Sequence, residues 1–143
     1  MNDKVFFDTN ILVYAYDKNE PEKGEIAKQL IRENGITGNL ILSTQVLQEF
    51  YVTMTKSSKN MLTKEDASEI VSDFSEFPLV QINKNIILRA MKRHQTRAFS
   101  FWDSLIVEAA LQAGCSILLS EDMQDGFSID AIRIRNPFKP TQT

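Results

Sequence analysis

The chain has 143 residues, 43% of them hydrophobic and 24% charged, with a formal net charge of -3. These values suit one domain over residues 1–143 with a substantial core, and exclude both a disordered chain and a binder that holds nucleic acid by whole-surface positive charge alone. Cys115 is the only cysteine, which excludes an internal disulfide or a zinc site built on several thiolates and fits a reducing cytosol. No apolar run reaches membrane-spanning length and Asp8 interrupts the first apolar stretch too early for a signal peptide, so a cytoplasmic protein is expected.

Val5, Phe6 and Phe7 form a continuous apolar run of the kind that makes a parallel strand covered on both faces. Asp8 then falls at its carboxyl end, where open α/β sheets bind ligands. Asn10 is positioned to cap a helix over Ile11 to Tyr16. Pro21 and Gly35 bracket a second helix with Ile26, Ala27, Leu30 and Ile31 facing inward. Leu40 to Leu42 read as a strand, and Ser43 or Thr44 caps a helix that buries Val46, Leu47, Phe50 and Met54 and carries Glu49. After a polar, basic loop over Lys56 to Asn60, Thr63 and Asp66 form a capping-box pattern ahead of Ala67, Ile70, Val71 and Phe74.

Leu79 to Ile82 are a third strand. Asn83 caps a helix whose inward stripe is Ile86, Ile87, Ala90 and Met91. Ser100 caps a helix to about Ala113, with Asp103 in its first turn and Gly114 at its end. Cys115 to Leu119 form a strand that breaks at Ser120-Glu121-Asp122, as the first strand breaks at Asp8. Asp125-Gly126 is a turn, Ile132 to Ile134 a last strand at the sheet edge, and Pro137 to Thr143 a tail.

Alternating strands and helices predict a three-layer α/β/α sandwich on a mostly parallel sheet, and right-handed crossovers bring the strand carboxyl ends to one edge. Asp8, Glu49, Asp103 and Asp122 then converge on one crevice. Ionised acids held this close raise one another's pKa unless a cation neutralises them, and oxygen-only ligands select a hard ion, Mg²⁺ or Mn²⁺, bound singly or as a pair. Such an ion activates water and shields phosphate charge. No glycine-rich phosphate loop or Gly-x-Ser-x-Gly elbow is present, and His94 is the only histidine, so nucleotide-loop and serine-triad chemistries have no support.

Four segments in this order resemble the PIN domain family and, within it, the VapC-type toxins. They are Val-Phe-Phe-Asp8-Thr9-Asn10, Val46-Leu47-Gln48-Glu49-Phe50, Phe101-Trp102-Asp103-Ser104-Leu105-Ile106 and Leu118-Leu119-Ser120-Glu121-Asp122. The resemblance spans the whole chain. It implies that Asp8, Glu49, Asp103 and Asp122 hold Mg²⁺ or Mn²⁺ for cleavage of single-stranded or structured RNA, leaving 5′-phosphate and 3′-hydroxyl ends. It further implies that Thr9, Asn10 and Ser120 support the site, that the protein forms homodimers, and that a small cognate antitoxin blocks the cleft. Ser120-x-Asp122 matches the family spacing, which ranks Asp122 first and leaves Glu121 and Asp125 as outer supporting groups.

Each residue also has a plainer reading. Glu49 fits the edge of a helix stripe, and Asp103 a capping pair with Ser100 favoured by the helix dipole. Trp102 is expected to pack rather than to stack on bases, and His94 to be solvated. Lys56, Lys59, Arg93 and Arg97 are expected to flank the crevice and hold RNA phosphates. The rival functions are a PIN nuclease of RNA processing, a non-catalytic RNA-binding PIN domain, and an aspartyl-phosphate phosphatase or receiver domain. The last expects an acid where Asn10 stands, or a late lysine at a strand end.

Overall fold

Short apolar runs need both faces covered before they hold as strands, and the chain supplies the cover by following most of them with amphipathic helices. The computed structural model describes residues 3–56, 61–96 and 99–140. Its strands are β1 (Val5–Phe7), β2 (Leu40–Ser43), β3 (Leu79–Val80), β4 (Ile117–Leu119), β5 (Ser128–Ile129) and β6 (Ile132–Arg135). The helices are α1 (Thr9–Tyr14), α2 (Pro21–Thr37), α3 (Thr44–Thr55), α4 (Lys64–Phe74), α5 (Lys84–Thr96) and α6 (Phe101–Gln112). The six-stranded sheet has the order β3-β2-β1-β4-β6-β5. Every pairing is parallel except that of β5 with β6, and the architecture is the expected three-layer α/β/α sandwich.

The topology places the site. The chain steps outward from β1 to β3, then returns through α5 and α6 to the opposite side of β1 as β4. The carboxyl ends of β1 and β4 therefore open a crevice at the point where the winding reverses. Phe7 pairs with Leu119, and the Asp8 amide donates to the Leu119 carbonyl at 2.9 Å, so the polar residues after both strands stand at one level. Phe6 and Phe7 are fully buried beneath them. Each contributes about 1.5–3 kcal/mol of burial, which anchors the floor of the crevice in the core.

Several boundaries differ from the sequence reading for identifiable reasons. Asp8, not Asn10, caps α1: its backbone is extended and its carboxylate accepts from the Thr9 amide. Helix α2 runs through Gly35 and ends at Gly38, which takes the left-handed conformation at φ 78° that glycine adopts without steric penalty. On α2 Ile26 faces outward, and on α5 Ile87 and Met91 do the same, leaving Ile86 and Ala90 as the buried pair. β3 stops at Val80 because the Ile82 amide donates instead to the Thr44 hydroxyl. β6 is not the edge, since β5 pairs outside it through a tight hairpin with Asp130 at φ 52°. Among the described residues no helix is long and apolar enough to cross a membrane.

Candidate active site

Asp8 ends β1 and caps α1, so one side chain serves the helix and faces the crevice. Its Oδ1 accepts from the Thr9 amide at 2.7 Å and its Oδ2 from the Ser120 hydroxyl at 2.8 Å. Ser120 ends β4, is buried, and its Oγ also accepts from the Met123 amide at 3.3 Å. Asp8 is only 7% exposed. Burial pushes its carboxyl from the ordinary 3.8 up to about 7, against the downward pull of the Ser120 and Thr9 bonds and with added repulsion from Glu49 and Asp103. Burial in the metal-free protein thus favours the protonated carboxyl, and a bound cation would favour the ionised one.

The remaining acids arrive from three other elements. Glu49 projects from α3, where its Oε1 accepts from the Thr9 hydroxyl at 2.5 Å and its Oε2 from Gln45 Nε2 at 3.1 Å. Asp103 lies in the first turn of α6, whose cap Ser100 receives the Asp103 amide at 3.0 Å. Burial and then the charges of Asp122 and Glu49 raise its pKa, partly offset by the bond with Ser100. Asp122 follows β4, and its Oδ2 accepts from Asn10 Nδ2 at 3.1 Å.

Asp8, Glu49, Asp103 and Asp122 all line one cleft of about 620 Å³, together with Thr9 and Asn10. Asp17, Gln45 and Trp102 line it too, and the described residues of its wall include no Lys, Arg or His. The four acids share a cavity without being clamped into one cage: among the described residues, no three His, Cys, Asp or Glu side chains form a ready metal cluster. Neutral groups stand between them instead, Thr9 joining Asp8 to Glu49 and Asn10 holding Asp122. The donor set fits a hard dication, because it is oxygen-only and its carboxylates repel one another. A further observation agrees: Gln45 is buried, lines the cleft, and has no hydrogen-bond partner for its Oε1.

Glu121, Asp125, Arg93 and Lys56, also singled out in the sequence, do not line the cleft. Glu121 turns away from the cleft to accept from the Tyr14 hydroxyl at 2.5 Å and to pair with Lys23 at 2.6 Å. Burial opposes its ionisation, but those two partners outweigh it and lower its pKa. Since Tyr14 lines the cleft, Glu121 acts on the wall at one remove. Asp125 accepts from the Asn136 amide at 2.7 Å and ties the turn before β5 to the segment after β6, outside the cleft. Arg93 is also absent from the wall; it pairs with Glu108 at 2.6 Å and Asp130 at 3.3 Å. Lys56 is exposed at the end of α3 and does not line the cleft, while Lys59 and Arg97 lie outside the described residues. Trp102 does not pack into the core as expected. It is 62% exposed and on the cleft wall.

Gln45 and Asp17 are cleft residues that the sequence did not mark. Gln45 carried a usable signal, since it stands one helical turn before Glu49 and so shares its face. Asp17 had none, because its place depends on where the chain turns after α1.

A doubly wound α/β sheet with an acid-lined crevice at the reversal of its winding is one class of protein, set by topology and site together. The chain belongs to the PIN domain family, whose profile matches residues 5–127. Its fold is similar to that of a toxin-antitoxin complex from Klebsiella pneumoniae, at TM-score 0.69 and 19% identity over 96% of this chain and 100% of that chain. It is likewise similar to DNA-bound VapBC from Salmonella typhimurium, at TM-score 0.66 and 20% identity over 95% and 99%. A third likeness is to VapC20 of Mycobacterium tuberculosis, a sarcin-ricin loop cleaving toxin, at TM-score 0.63 and 18% identity over 80% and 87%. At these identities the likeness is one of fold. No curated protein matches the chain.

Proposed function

We propose that the protein is a Mg²⁺- or Mn²⁺-dependent endoribonuclease, acting as a single PIN domain and as the toxin half of a toxin-antitoxin pair. The observation that carries this reading is the placing of Asp8, Glu49, Asp103 and Asp122 on one cleft whose described wall has no cationic side chain. A phosphodiester cannot approach such a wall unaided, so the acids must first hold positive charge. When bound, one or two dications would supply Lewis-acid stabilisation of the phosphate and a water made acidic enough to attack it.

The chain's own groups do the positioning. Ser120 and the Thr9 amide fix both oxygens of Asp8, Thr9 and Gln45 fix both oxygens of Glu49, and Asn10 orients Asp122. The first turn of α6, fixed by the bond from the Asp103 amide to the Ser100 hydroxyl, sets where Asp103 enters the cleft. Because the only side-chain bases on the described cleft wall are carboxylates, these four and Asp17, proton uptake from the attacking water falls to a carboxylate or to solvent.

The neighbours in complexes with antitoxins support an antitoxin partner here, and a homodimer is proposed on the family resemblance alone. Incubating total RNA with the protein, with and without Mg²⁺ or Mn²⁺, tests the nuclease. Metal-dependent fragments bearing 5′-phosphates, lost with Asp8→Asn, are expected. Equal cleavage in EDTA, or by Asp8→Asn, overturns it.

A further inference from the structure

The wall beside the acids is built for something other than phosphate. Five carboxylates line the cleft, those of Asp8, Asp17, Glu49, Asp103 and Asp122, and no Lys, Arg or His joins them among the described residues. Away from a bound cation, a polyanion meets only like charge from the described residues of this wall, so the part of a substrate that the rest of that wall can receive is uncharged. That wall is apolar or neutral: Trp102, Val52 and Met61, with Gln48 and Thr53 supplying amide and hydroxyl groups. Trp102 is 62% exposed and Val52 55%.

The indole is packed on one side, and its backbone is tied to the site, despite its exposure. Phe101 packs against it at 5.2 Å and 71° between ring planes. Gln45 Nε2 donates to the Trp102 carbonyl at 3.2 Å, and its other bond holds Glu49. One buried amide thus couples the backbone of the aromatic residue to a carboxylate of the site. An aromatic side chain fixed in advance loses little freedom when a flat ligand stacks on it. Trp102 and Asp103 line the same cleft, which keeps whatever stacks on the indole near the reacting groups.

Building on the ribonuclease reading above, we infer that Trp102, with Val52 and Met61 in the same cleft, forms a nucleobase subsite that holds one unstacked base of the RNA next to the scissile phosphate. Gln48 and Thr53 can meet its polar edge. Base-paired RNA has no free face to offer, so the subsite selects unpaired nucleotides.

Trp102 is the only tryptophan, so intrinsic fluorescence reads the subsite directly. Asp8→Asn protein, which holds RNA uncleaved, is titrated in Mg²⁺ with a single-stranded RNA decamer, the same decamer made abasic, and its duplex. Quenching by the single strand is expected, at concentrations at least fivefold below those the other two need. In the same background Trp102→Ala should weaken binding of a labelled decamer roughly 5- to 150-fold, the range for loss of one base-aromatic stack, and Trp102→Phe should recover most of it. Equal quenching by the abasic decamer overturns the inference. So does a Trp102→Ala variant that binds as tightly as its parent, which leaves the indole to a protein partner. The two readings fail separately: wild-type protein that cleaves no RNA with Mg²⁺ or Mn²⁺ removes the nuclease, whereas cleavage of single strand and duplex at equal rates removes only the base subsite.

Discussion

Asp8→Asn should abolish cleavage and at the same time stabilise the metal-free protein. The folded chain holds the Asp8 carboxyl at about 7, against an ordinary value of 3.8. Between those values the folded state keeps a proton that the unfolded state has released. Stability from this group is therefore fully present below about pH 4, falls as pH rises to about 7, and is flat beyond. A gap of roughly three pH units corresponds to about 4 kcal/mol. Asparagine removes the charge but keeps an oxygen for the Thr9 amide, and its amide can donate to Ser120 Oγ. A gain of about 2–4 kcal/mol at pH 8 is expected once the poorer bonds of a neutral group are allowed for. Urea unfolding in EDTA at pH 4.5 and pH 8, on both proteins, measures it: the difference should open at pH 8 and nearly close at the acid end. Saturating Mg²⁺ at pH 8 should then stabilise the wild type more than Asp8→Asn, which keeps only Glu49, Asp103 and Asp122 of the four acids. Asp8→Asn less stable than wild type at pH 8 in EDTA, with a flat wild-type profile, would refute the reasoning.

Ser120→Ala removes the hydroxyl that holds Asp8 Oδ2 and leaves the Met123 amide without its acceptor. About 1–3 kcal/mol of stability should be lost in chemical unfolding, and Mn²⁺ affinity should fall about 10-fold or more. Glu121→Gln should keep metal-dependent cleavage and cost at most about 1 kcal/mol, because its pair with Lys23 is partly solvated; Asp122→Asn should lose cleavage. Arg93→Met strands Glu108, whose side chain is 7% exposed. It should lower stability by about 3 kcal/mol, with Arg89 still in reach of Glu108, and leave cleavage per folded molecule unchanged.

The acids were legible because each sits where a local pattern changes. Val5 to Phe7 and Ile117 to Leu119 are apolar runs stopped by polar residues, and such stops mark strand carboxyl ends in a parallel sheet. Ser100 announces the helix that carries Asp103, and Ser43 the one that carries Glu49. What escaped was decided by contacts distant in sequence. The basic group near Arg93 read as a phosphate grip because its partner Glu108 belongs to the next helix. On α5, Ile86 with Ala90 and Ile87 with Met91 are equally good stripes one residue apart, and only the packing of α6 chooses the first. Ser128-Ile129 is too short to show alternation, so β5 and the displacement of β6 from the edge were invisible. Trp102 read as a packing residue because its neighbours are apolar, but it lines the open cleft at 62% exposure, a placement set by tertiary contacts that no local pattern encodes.

A dication shared by acids from separate elements is the physical centre of the nuclease reading, and a crystal of the protein soaked in Mn²⁺ tests it most directly. Anomalous scattering should show one or two peaks in the cleft, with oxygens from Asp8 and at least one of Glu49, Asp103 and Asp122 at about 2.1–2.3 Å from the metal, as hard-ion coordination requires. A crystal that takes up Mn²⁺ elsewhere while the cleft stays free of it, at a pH above 7 where Asp8 is ionised, would contradict the shared site.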